Sequence, residues 1–326
     1  MDSPSSTIRT SRFWRIGLTM CLIVIGGLSL LPYLMSTGAE GEIPEAPFHD
    51  SRFMSVEDTR LHYRDLRPEG VEAPRGQILL VHGLAGSTYS WRKVAEPLAS
   101  VGYRVVSVDL PPFGYSEARV PGDDAASAET LLWGLLEALD QGGGWHLLGH
   151  SMGAGVVARM AVDAPESVRA LVMVSGTPDT AAEGGRGIGG LVMRYPPVRR
   201  WLTVIGSGRL LNPEGMGRAL SSAYGRDATA EEIDAYLAPL LTSGKPDAVI
   251  RFLHQGQEVV EPEQLQGLPL TVIWGGHDEW VPLSNGRRLA DAADAPLQLI
   301  DEAAHNPMET HPEAFLDALE RPLQGQ

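Results

Sequence analysis

The chain has 326 residues, 43% hydrophobic and 21% charged, an ordinary globular balance with enough length for a large core. It carries 41 acidic against 26 basic residues, a net charge of -15, with no basic patch, which argues against nucleic acid as a partner. Cys21 is the only cysteine, so neither a disulfide framework nor a thiolate metal site can be built.

Residues 16–35, IGLTMCLIVIGGLSLLPYLM, contain no charge, and about 20 apolar residues span a bilayer core. Arg9, Arg12 and Arg15 precede the run, while Glu40, Glu42 and Glu45 follow it. The positive-inside rule then predicts a cytoplasmic basic N-terminus over 1–15, a transmembrane signal-anchor over 16–35, and everything later on the exported side. The run exceeds the ~7 to 15 residues of a secretory h-region, which favours an uncleaved anchor. The small residues ending at Ala39 keep secretion after cleavage there as the alternative. Residues 36–50 are rich in Gly, Pro and Glu and read as a flexible linker.

A domain is predicted over 51–326. Residues 52–66 alternate around Phe53, Val56, Leu61 and Tyr63, a hairpin pattern. From residue 77 strands and helices take turns. QILLVHG reads as a strand, SWRKVAEPLASVG as a helix closing on Gly102, and YRVVSVDLP as a strand. SAETLLWGLLEALD is an amphipathic helix with Ser127 as N-cap; WHLLGHS is a strand with a helix after it, and VRALVMVSG a strand. This alternation predicts an α/β fold, a mostly parallel central sheet with helices on both faces. The rhythm breaks over about 177–266, where Gly-rich AAEGGRGIGG, a proline pair and the helix-like TAEEIDAYLAPLL stand, so a helical cap inserted between two strands is expected. Within it, RYPPVRR reads as a solvated basic face. The sheet resumes with LPLTVIWGGHD and PLQLIDEAAH, and HPEAFLDAL is a last helix.

Ligands of open parallel sheets bind at the C-terminal strand edge, and there this chain concentrates its reactive residues. Ser151 sits in GWHLLGHSMGAG between strand and helix patterns, with Gly149 and Gly153 two positions either side. A serine hydroxyl needs a base, and that base needs a carboxylate to set its tautomer. His305 and Asp278 stand just beyond predicted strands. Glu279 and Asp179 are alternative acids, the spacing to Val281 and Pro282 favouring Asp278. His82, His150 and Asp109 are expected to support turns, and His277 to be a turn residue. Trp91, Phe113, Met193, Tyr195, Trp201 and Trp280 are candidates for an acyl pocket or plain core. No cofactor or metal is expected: the first strand lacks a G-x-G-x-x-G, no Walker loop exists, and HDEW lacks H-E-x-x-H spacing.

GHSMG matches the G-x-S-x-G nucleophile elbow, and the order Ser, Asp, His, with HG, D-x-P-x-x-G-x-S, G-x-H-D-x-x-V-P and H-x-P-M-E-x-x-P, resembles the α/β-hydrolase superfamily over roughly residues 52–322. The resemblance implies that Ser151 attacks, His305 serves as general base then acid, and Asp278 orients His305. By family position, the backbone N–H groups of Leu84 and Met152 form the oxyanion hole. Pro112 and Ala304 depart from the commoner glycines of the pattern. With the N-terminal run as anchor, the implied activity is that of a membrane-anchored serine hydrolase cleaving an ester, thioester or lactone, its partner a small-molecule, apolar acyl substrate. Carbon–carbon bond hydrolysis, perhydrolysis and a non-catalytic scaffold stand as alternatives.

Overall fold

The computed structural model describes residues 5–70, 74–139, 143–179, 195–255 and 258–324. An N-terminal helix, α1 (Ser5–Leu30), continues as a short 3-10 turn, Leu31–Leu34. Residues Trp14–Leu34 are long and apolar enough to cross a membrane, with a mean hydropathy of 2.0. A hairpin follows, β1 (Ser51–Val56) and β2 (Thr59–Leu66), with Glu57 and Asp58 both at positive φ, the geometry that matches strand twist in a two-residue turn.

The parallel part of the sheet comprises β3 (Gly76–Val81), β4 (Tyr103–Val108), β5 (Trp145–His150), β6 (Val168–Val174), β7 (Leu270–Gly275) and β8 (Leu297–Ile300). Their order is β1-β2-β4-β3-β5-β6-β7-β8, antiparallel only where β2 meets β1 and β4. Most central-strand residues are buried on both faces, which explains their unbroken apolar runs. Alternate residues serve opposite cores: Leu79, Val81 and Leu147 pack with α3 (Ala128–Leu139) and α4 (Met152–Asp163), through Leu131 and Val156. Ile78, Leu80 and Leu148 pack with α2 (Ala95–Ser100) and the C-terminal helix, through Leu98 and Phe315.

One of the predicted helices needs correcting. The helix read over SWRKVAEPLASVG is split into a 3-10 turn, Thr88–Trp91, and α2, because Pro97 has no N–H to bond the carbonyl of Lys93. Gly102 does end it, at φ +104°. Ser127 caps α3 as expected, its Oγ accepting the Thr130 N–H at 3.2 Å.

Between β6 and β7 stand α5 (Pro196–Leu210), α6 (Pro213–Tyr224), α7 (Ala230–Leu240) and α8 (Lys245–His254), and no strand among the described residues. AAEGGRGIGG lies outside them. α9 (Leu283–Ala293) and α10 (Pro312–Gln324) complete the layers. RYPPVRR is not simply a solvated face: Arg200 donates to the carbonyls of Pro32 (3.1 Å) and Met35 (2.9 Å) and pairs with Asp247. Nor is residue 41 free in the linker, since Gly41 N–H donates to Leu241 O (3.1 Å) and Gly41 O accepts Ser243 N–H (2.8 Å).

His146, on β5, is buried with no partner for Nδ1, and burial, reinforced by the Arg169 charge, pushes it down to about 4 from an ordinary 6.5. The unfolded chain therefore binds more protons between those values, so this contribution to stability is full above pH 6.5 and lost as pH falls through 4. Urea midpoints should decline from about pH 7 to about pH 4.5, and less steeply for His146→Leu; parallel profiles for the two proteins would contradict it.

Candidate active site

β5 ends at the C-terminal edge of the sheet, and the chain turns into α4 through Ser151. That residue holds φ +51° and ψ -118°, a conformation costing a non-glycine residue about 1–3 kcal/mol. Its N–H donates to Val174 O at 2.9 Å and its carbonyl accepts Ala154 N–H at 3.0 Å, so β6 and the first turn of α4 hold it there. The flanking glycines serve close approach rather than a left-handed bend. A Cβ on Gly153 would lie 2.5 Å from Val81 O, and one on Gly149 would lie 2.3 Å from Gly153 O.

Ser151, Asp278 and His305 meet. His305 Nε2 is 3.1 Å from Ser151 Oγ, and its Nδ1 is 2.9 Å from Asp278 Oδ2. The other carboxylate oxygen accepts the N–H groups of Trp280 and Val281, each at 2.9 Å. A carboxylate so fixed makes Nδ1 the donor, leaving Nε2 to accept the serine hydrogen. The loop carrying His305 is tied on both sides: its N–H donates to Ala223 O (3.0 Å) on α6, and its carbonyl accepts His150 Nε2–H (2.9 Å). Trp280 stacks on the imidazole, centroids 5.5 Å apart and planes 21° apart, and donates through Nε1 to Ser222 on α6.

Leu84 and Met152 line the same cavity as Ser151, and neither backbone N–H has an acceptor among the described residues. The cavity, about 290 Å³, is walled mainly by apolar groups such as Leu220, Phe252 and Val281. The set can pass a proton from Ser151 to His305 beside two amides open to a developing oxyanion.

The remaining candidates fall elsewhere. Asp179 is exposed and bonded to Thr177 at 2.5 Å, and Glu279 and His277 are exposed. His82 donates through Nδ1 to Gly83 O (2.7 Å) and accepts Leu110 N–H (2.9 Å), holding the loop of Leu84. Burial lowers its proton affinity, and burial beside His305 lowers that of His150 further, so both are neutral turn supports. Asp109 accepts Thr88 and Tyr115 N–H groups, each at 2.6 Å, as a loop anchor. Trp91 and Phe113 are core, Trp280 reaches the cavity, and Met193 lies outside the described residues.

The profile of the alpha/beta hydrolase fold matches residues 76–200. The uncharacterized hydrolase YugF of Bacillus subtilis is 30% identical over 269 residues, covering 80% of this chain and 93% of that one. The chain belongs to the α/β-hydrolase fold family. A 2-hydroxy-6-oxononadienedioate/2-hydroxy-6-oxononatrienedioate hydrolase of Pseudomonas putida is 28% identical, covering 81% and 93%. Among solved structures, that of a membrane phospholipase A is similar in fold at a TM-score of 0.62 and 19% identity, covering 95% of this chain and 99% of that one.

Within this family member the same three residue types make a second chain of contacts. Ser51 Oγ lies 2.8 Å from His62 Nε2, and His62 Nδ1 lies 2.7 Å from Asp109 Oδ2. Here Ser51 sits in an extended edge strand and already accepts Phe48 N–H at 2.9 Å, while His62 and Asp109 are wholly buried. It lacks the strained turn and open amides that Ser151 has, and it pins the hairpin to the loop after β4.

Sequence reasoning missed two parts of the site. The Trp280 stack was legible only as an aromatic two residues after Asp278. Glu309 lies within the H-x-P-M-E pattern, but its role depends on partners from α6 and α7.

Proposed function

We propose that the protein is a serine hydrolase, held in a membrane by its N-terminal helix with the catalytic domain on the exported side. It cleaves a carboxylic ester, thioester or lactone of an apolar acyl substrate. The observation that carries this reading is the relay from Asp278 through His305 to a strained Ser151 that faces an apolar cavity.

Ser151 Oγ attacks the carbonyl carbon as its proton passes to His305 Nε2, and Asp278 stabilises the imidazolium. The carbonyl oxygen, now negative, is held by the N–H groups of Leu84 and Met152. Collapse expels the leaving alcohol or thiol, which takes the proton from His305. Water then attacks the acyl-enzyme, His305 accepting and returning its proton, and the acid leaves with Ser151 restored.

The similarity to the dienedioate hydrolase supports carbon–carbon cleavage as a second reading. A dioate carries two carboxylates, which call for cationic partners, and no Lys or Arg lines the cavity among the described residues. Ester cleavage of a neutral acyl group fits that lining better. The test is covalent labelling by a fluorophosphonate: wild type and Ser51→Ala should label equally and Ser151→Ala should not. An unlabelled, folded wild type would sink the hydrolase reading, and loss of labelling in Ser51→Ala alone would move the nucleophile.

A further inference from the structure

The cavity beside Ser151 does not end there. A second chamber of about 250 Å³ lies between α5, α6 and α8, walled by groups such as Thr203, Leu211, Leu240 and Val249. Leu84, Ala85, Met216, Ala219, Leu253 and Trp280 line both spaces, so the two adjoin directly at the oxyanion loop. Almost all the second chamber's exposed lining is apolar and it contains no ionisable side chain.

The chamber's outer wall, α5, is also the helix that grips the membrane-spanning segment. Trp201 Nε1 donates to Leu28 O at 2.9 Å, Tyr195 OH meets Ser29 Oγ at 2.8 Å, and Arg200 holds Pro32 O. Those three partners lie inside the apolar stretch Trp14–Leu34. At 1.5 Å per residue, Leu28 is on the order of 10 Å inside the end of that stretch, just beneath the headgroups, the depth to which an interfacial helix sinks its apolar face.

The two sides of α5 differ. Thr203, Gly206, Ser207 and Leu210 line the chamber. Val198, Trp201, Leu202 and Ile205 repeat at i, i+3, i+4 and i+7 on the other side, one apolar stripe beside α1, with Leu202 36% and Ile205 46% exposed. A stripe of that kind beside an apolar N-terminal helix has the form of an interfacial helix face.

We propose that the stripe of α5 rests in the bilayer surface and that the second chamber takes the long acyl chain of a membrane lipid, whose ester carbonyl then reaches Ser151. This rests on the hydrolase reading and names its substrate class: a long-chain acyl ester drawn from the bilayer, not a small soluble ester.

Two variants of the full chain, reconstituted in phosphatidylcholine vesicles, test it. Gly206 has open space, its nearest neighbour being Ile250 at 4.0 Å, so Gly206→Leu fills the chamber without a backbone clash. Each excluded methylene is worth about 0.8 kcal/mol, so the ratio of kcat/KM for a tetradecanoyl over a butanoyl ester should fall at least about 10-fold. The second variant, Leu202→Glu with Ile205→Glu, charges the outer stripe. Its turnover of the vesicle-borne tetradecanoyl ester should fall at least about 10-fold relative to the same ester in detergent micelles. A chain-length ratio equal to wild type overturns the chamber, and equal losses in vesicles and micelles, or none, overturn bilayer delivery. Fluorophosphonate labelling run alongside separates these failures from failure of the hydrolase reading, in which wild type itself does not label.

Discussion

Ser151→Ala should reduce kcat/KM for an activated ester by at least ~10⁴-fold, with His305→Ala close behind. The reason is geometric. One imidazole touches both partners, at 3.1 Å to the serine oxygen and 2.9 Å to the carboxylate, so without His305 the serine has no base, and without Asp278 the imidazole loses the group that sets its tautomer and stabilises its cation. Asp278→Asn is instructive because it keeps the volume and disturbs the tautomer. An amide placed with its nitrogen towards His305 cannot accept from Nδ1–H, and the lone pair on Nε2 is no longer guaranteed. A loss of the order of 10⁴-fold is expected for it. The double variant Ser151→Ala with His305→Ala should be scarcely worse than either single one, since the two act as a unit. Steady-state kinetics with a small aryl ester decide this. Additive losses would show that the residues work separately, and a variant at position 151 that retained more than a tenth of the activity would falsify the assigned nucleophile.

Glu309→Ala should cost about 3–5 kcal/mol of stability, because it leaves the Arg92 guanidinium with Glu232 alone and strips the acceptor from two buried phenols and an amide. Glu309 is wholly buried and takes contacts from four side chains: Arg92, Tyr224 (2.7 Å), Tyr236 (2.5 Å) and Asn306 (2.8 Å). Arg92 also pairs with Glu232 at 3.0 Å, which in turn holds Arg226 at 2.7 Å. Burial first, and the Glu309 charge second, push both tyrosine phenols up, so both stay protonated and donate. The cluster thus joins α6, α7 and the 3-10 turn after β3 to the residue that follows His305. Glu309→Gln keeps the shape and loses the charge, and should cost less than Glu309→Ala. Urea unfolding followed by tryptophan fluorescence measures both, and an unchanged midpoint for Glu309→Ala would rule out the network as a structural clamp. Because Asn306 adjoins His305, the alanine variant should also lose kcat before it loses fold.

Much of this was written locally. The apolar runs of β3, β5 and β7 could only be strands buried on both faces, since no charge interrupts them and each is too short for a helix of comparable burial. Gly149 and Gly153 flagged a crowded turn, though not its cause. The left-handed φ falls on Ser151, and the glycines are small because carbonyls of β3 and α4 press against them. The split before α2 is equally legible in Pro97. Other features had no local signature. Nothing near residue 309 announces four partners, since three of them come from elements at least 70 residues away in sequence. RYPPVRR looked solvated because its partners, Pro32 and Met35, lie on a segment that reads as independent of it.

Legible in the chain alone are the succession of strands and helices, the apolar N-terminal span, and which serine, histidine and aspartate stand at strand ends. Those properties follow from side-chain periodicity and backbone preference, which act over a few residues. Long-range packing is what gives Ser151, and not Ser51, open amides and a cavity before it, although both serines meet a histidine that meets an aspartate. It likewise puts α5 between the second apolar chamber and the N-terminal helix. Distances of that kind are set by how layers pack, and packing joins residues that chain position keeps far apart.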